Sequence, residues 1–158
     1  MAGMEGLGRL FNAYLLPTTT AKTFKLRGSS GVTVLVSGAA AVVTLAQDSS
    51  FGGSFSTAAA VIKNVYWTTA SDGTVAWSKL TYVNGTAPFG SGPLSTYTHG
   101  TTTGLTTATY SAFAVFTSEF SDPNNYLRVT LTGSGIGAIV FHDLVHQRAP
   151  ANLEVVGS

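Results

Sequence analysis

The 158-residue chain carries eight Lys+Arg against seven Asp+Glu, only 9% charged residues, and no cysteine. Near-zero net charge supplies no field to recruit nucleic acid, and the absence of cysteine excludes a disulfide scaffold, a thiol nucleophile and every Cys-ligated metal site. The length fits one domain with a core of its own, and low charge with positive mean hydropathy argues against disorder and favours association between copies.

The N-terminal stretch MAGMEGLGRLFNAYLLP has no basic n-region followed by an apolar h-region, so no targeting segment is expected. Leu7, Leu10, Phe11, Tyr14 and Leu15 recur at helical spacing, and Pro17 ends the pattern. Residues 1–21 therefore read as an amphipathic arm. An isolated helix this short needs a surface to order it, either its own domain or a neighbouring subunit; Leu7, Arg9, Leu10, Phe11, Tyr14 and Leu15 are the candidate partner-binding residues, expected to contact another chain. Four of the eight basic residues, Arg9, Lys22, Lys25 and Arg27, lie in the first 27 positions with only Glu5 opposing them, which suits docking on an acidic surface.

From Lys22 onward the signal is β: abundant Thr and Ser, enriched aromatic and β-branched residues, and Gly at short intervals. Candidate strands are 22–26, 32–36, 40–46, 59–69, 74–83, 105–116, 126–132 and 136–146. Ser37-Gly38, Asp72-Gly73 and Gly133-Ser134-Gly135 sit where tight hairpin turns need positive φ. Residues 47–56 and 84–104 read as longer loops. No helical pattern after residue 21 is strong enough to connect parallel strands, so an antiparallel two-sheet β-sandwich of jelly-roll or Ig-like kind is predicted over 22–158. Val34, Val43, Trp67, Trp77, Phe113, Leu127, Val129 and Ile139 are its expected core. The longest apolar run, Val32 to Ala46, is interrupted by polar residues and falls short of the ~20 residues of a membrane helix, so no membrane span is expected.

Chemistry-bearing patterns are weak. His142 and His146 are spaced for one face, but no third ligand is signalled, and no metal or cofactor is expected. Gly133–Ala138 (GSGIGA) matches the form of a dinucleotide loop without the following helix that the mechanism requires. No Gly-x-Ser-x-Gly elbow occurs, and Asp48, Asp72, Glu119, Asp122 and Asp143 mostly flank turns, so no catalytic residues are assigned. Asn84-Gly85-Thr86 matches a glycosylation sequon but reads as a turn. Tyr66, Trp67, Trp77, Tyr82, Phe89 and Tyr97 would suit a sugar-stacking platform or, equally, the packing of sheet faces.

Three stretches, GVTVLVSGAAAVVTLAQDSS, VIKNVYWTTASDGTVAWSKL and NNYLRVTLTGSGIGAIVFHDLVHQRAP, carry a likeness in style and order. Through them, roughly Lys22 to Leu153 resembles the small β-sandwich structural proteins of tailed-bacteriophage heads. The resemblance implies a non-enzymatic capsid decoration (cement) protein on the virion surface, with the major capsid protein and neighbouring copies as partners and neither nucleic acid nor membrane. A carbohydrate- or receptor-binding module and a small tail or neck protein are the alternatives.

Overall fold

A computed structural model describes residues 13–16, 19–26, 29–38, 40–69, 74–81, 93–100, 109–121 and 126–142. Eleven strands occur among them: β1 (Ala13–Leu16), β2 (Ala21–Lys25), β3 (Gly31–Ser37), β4 (Ala41–Asp48), β5 (Thr57–Ala58), β6 (Asn64–Thr68), β7 (Ser78–Thr81), β8 (Thr96–His99), β9 (Tyr110–Phe116), β10 (Tyr126–Gly133) and β11 (Ile136–His142). A single 3₁₀ turn, Thr117–Glu119, follows β9. The strands form two antiparallel sheets packed face to face, the predicted β-sandwich. Sheet A runs β1-β11-β3-β9-β6-β7, and sheet B runs β2-β10-β4-β5 with β8 also on β4.

The two sheets are one folded ribbon over much of their width. The segments β1–β2, β11–β10, β3–β4 and β9–β8 each give one strand to sheet A and one to sheet B, in the same side-by-side order. The corners therefore correct two expected hairpins. Ser37-Gly38 and Gly133-Ser134-Gly135 do not join paired strands; they carry the chain from one sheet into the other. Gly38 (φ 92°) and Gly133 (φ 102°) do take the positive φ that their turns demand. The corners lie against each other, with Ser134 N–H donating to the Ala40 carbonyl at 3.1 Å. Between the pairs Ser37–Ile136 and Ala41–Gly133, one limb advances four residues and the other three, so the corner holds one extra residue, as a bulge does. β6 and β7 pair antiparallel as expected, from Asn64–Thr81 to Trp67–Ser78, and the expected turn at Asp72-Gly73 lies outside the described residues.

Period-2 alternation places the core. Val32, Val34 and Val36 of β3, Val43 and Leu45 of β4, Phe113 and Val115 of β9, Leu127, Val129 and Leu131 of β10, and Ile139 and Phe141 of β11 fill the space between the sheets. Trp67 is half-buried against this core. Trp77 corrects the expectation, being 49% exposed. It precedes β7, whose inward residue is Leu80, opposite Val65.

The arm reading is corrected where the structure describes it. Ala13–Leu16 is a strand on the edge of sheet A, paired with β11, and not a helix. A helix would put Tyr14 and Leu15 on one face; the strand separates them. Tyr14 turns inward against Phe24 and Phe141, with ring centroids 5.8 Å away in both cases, while Leu15 is 84% exposed. Leu16, again inward, is buried. The open edge of β11 offers backbone partners and a place for Tyr14 and Leu16, which outweighs a marginal helical preference. Leu7, Arg9, Leu10 and Phe11 lie outside the described residues.

Candidate functional site

Three arrangements bring functional side chains together. The first is buried. Tyr97 and His99 point inward from β8 in sheet B, and Ser111 points inward from β9 in sheet A. The Tyr97 hydroxyl donates to Ser111 Oγ at 2.7 Å, and His99 Nδ1 lies 2.8 Å from the same oxygen. This serine is thus a polar staple between the sheets. His99 Nε2 is buried without a hydrogen-bond partner, and desolvation pushes the imidazole below its usual pKa, favouring the neutral ring. A Ser–His pair at this distance has the reach for proton transfer. All three side chains are sealed from solvent, and no carboxylate is seen to orient the imidazole among the described residues. As placed, the trio is structural.

The second arrangement is the loop after β4. Asp48 accepts from Ser50 N–H at 3.0 Å and Phe55 N–H at 3.0 Å, and these bonds hold its carboxyl below the usual range. A side chain at Gly53 would collide with the Asp48 carboxylate. Phe55 takes φ 51°, and its ring lies under the Arg128 guanidinium, 4.0 Å from carbon to centroid. This loop is therefore internally organised and presents Phe51, edge-on to Tyr126.

The third is the outer face of sheet A. Opposed residues form the row Leu15–Ala138–Leu35–Ala112–Tyr66–Lys79 across all six strands. Val140, Thr33 and Ala114 lie on one side of it, and Ile136, Ser37 and Tyr110 on the other. Five of the eight large exposed apolar residues among those described, Leu15, Leu35, Tyr66, Phe116 and Ile136, belong to this face. Its strand residues carry no charge until Lys79, on the far edge, whose ammonium lies 5.9 Å from the Tyr66 ring centroid. His142, at one end, is 2.5 Å from Thr33 Oγ1. The outer face of sheet B differs: it holds Thr44, Thr96, Thr98, Thr130 and Thr132 with Lys25, Asp48 and Arg128.

The sequence-predicted residues distribute as follows. Of the arm set, Tyr14 joins the core and Leu15 joins the outer face of sheet A. The six aromatics do not make one platform. Tyr97 is a buried strand residue, Trp67 leans on the core, Tyr66 and Trp77 are exposed, and Tyr82 and Phe89 lie outside the described residues. His146 and Asp143 also lie outside them, and no group of three or more His, Asp or Glu suited to a metal occurs among the described residues. No described helix is long and apolar enough to cross a membrane. The buried trio and the uncharged face escaped sequence reasoning, because both depend on which strands become neighbours.

The fold so defined is an antiparallel β-sandwich with one polar and one apolar outer face. No protein-family model matches the chain, and neither a curated protein nor a solved structure does.

Proposed function

We propose that this chain is a non-enzymatic structural protein of a virion, a capsid decoration or stabilising protein of a tailed phage, working through a broad docking face. The single observation that carries the docking role is the outer face of sheet A, where large exposed apolar side chains lie together without charge. A folded chain leaves such a patch bare when another surface covers it in the working state. Placement on a phage head comes from the sequence resemblance alone, with the capsid protein as the implied partner.

A cement role asks for a rigid scaffold and a contact surface multiplied over many copies. The folded ribbon supplies the first and sheet A the second. The sealed Ser111–His99 pair offers no substrate access, which supports a binding role over a hydrolytic one. Quantitative mass spectrometry of purified particles tests the reading. A fixed copy number near that of the capsid protein, or a simple fraction of it, is expected; absence from the particles would refute it.

A further inference from the structure

We propose that the outer face of sheet A binds a second copy of this chain, sheet against sheet. This rests on the reading of that face as a docking surface and names its occupant. In the row Leu15–Ala138–Leu35–Ala112–Tyr66 the side chains alternate large, small, large, small, large. Neighbouring strands lie about 4.8 Å apart, so a knob recurs about every 9.6 Å with an alanine seat between. A second copy displaced by one strand sets its Leu35 over the seat at Ala138 or Ala112 and receives the first copy's Leu35 in the same way. Self-complementarity of this kind is what a two-fold interface requires.

Charge and size agree. With Lys79 confined to the β7 edge, the face gives no purchase to a charged partner and no repulsion to a copy of itself. Paired stretches of four, seven, seven, three and four residues across the five strand spacings give a projected plane of about 400 Å². Protruding side chains raise the accessible area above that plane, toward the ~800 Å² per partner of a standard interface. Sheet B, with its threonines and the charges of Lys25, Asp48 and Arg128, lacks the neutrality, and its exposed Phe51 is engaged edge-on with Tyr126.

The absence of cysteine makes the test direct. Leu35→Cys and, on the opposite face, Thr44→Cys would be introduced singly into the full chain and treated with a short bis-maleimide. Leu35→Cys is expected to give a covalent dimer and Thr44→Cys to stay monomeric. Light scattering is expected to show a dimer for the unmodified chain and half that mass for Leu35→Lys, whose circular dichroism spectrum stays that of the parent fold because Leu35 is partly exposed in the single chain. A monomeric parent, equal cross-linking at the two positions, or a dimer that survives Leu35→Lys would each overturn the inference. A dimer absent from particles would refute the virion reading and leave this one standing; a monomer bound to particles would do the reverse.

Discussion

Replacing Gly133 by alanine probes the corner where the ribbon turns from sheet B into sheet A. At φ 102° an L-residue is strained, and the added Cβ would lie 2.5 Å from the Ala40 carbonyl oxygen and 3.0 Å from the Ala41 Cα. Both are backbone atoms of the paired limb, so no rotamer change relieves the clash. Backbone strain of this kind costs about 1–3 kcal/mol, and forced overpacking adds about 1–3 kcal/mol. The stiffer unfolded chain returns only about 0.4–1 kcal/mol. The net loss is about 1–5 kcal/mol, a drop in melting temperature of about 2–20 °C for a chain of this size. Gly38→Ala is the matched comparison. Its φ is 92°, but among the described residues the nearest atom its Cβ would meet is the Gly135 Cα at 3.8 Å, so it suffers the strain without the collision. Differential scanning calorimetry on both variants decides the matter: a loss at Gly133 no greater than at Gly38 would refute the close approach of the two corners.

Ser111→Ala strips the shared partner from the Tyr97 hydroxyl and His99 Nδ1, and urea unfolding should show a loss of about 2–4 kcal/mol from the two orphaned groups. His99 titrates lower in the folded protein than its ordinary 6.5, so the unfolded chain binds more protons between the two values. Stability is therefore complete above about pH 6.5 and falls as pH drops through the folded value; urea midpoints at pH 7.5 and 5 should show this slope, and His99→Gln should flatten it. Asp48 is also lowered, from 3.8, so its contribution persists to more acid conditions and is lost only as pH falls further. Deleting residues 2–16 should lower the melting temperature well below that of a deletion of 2–12, because only the longer one removes Tyr14 and Leu16; burying a leucine alone is worth about 2–5 kcal/mol in truncation series. Lys63→Ala should change stability by less than about 1 kcal/mol, since its pairing with Glu119 is at the surface.

Alternation made much of the sandwich legible. Val34, Val43, Phe113, Leu127, Val129 and Ile139 were recognisable as core because a half-buried strand repeats every two residues. Pairing was harder to see. A glycine with positive φ looks the same in a hairpin as in a corner between sheets, so Gly38 and Gly133 announced turns without saying which sheet came next. The loop expected over 84–104 contains β8, whose Thr96–His99 has the alternation of a strand but too few residues to stand out among Gly and Thr. Leu15 illustrates the limit at the candidate site. Its place in a helical stripe and its place on a sheet face are equally compatible with the local pattern, and the open edge of β11 decides between them.

Hydroxyl-radical footprinting of the chain in its native assembly tests the central claim most directly, namely that the outer face of sheet A is the docking surface. Relative to an unfolded reference, Leu15, Leu35, Tyr66 and Ile136 should be strongly protected, while Phe51, exposed in the single chain on the loop after β4 of sheet B, should label freely. Equal labelling of those four and of Phe51 would contradict the account.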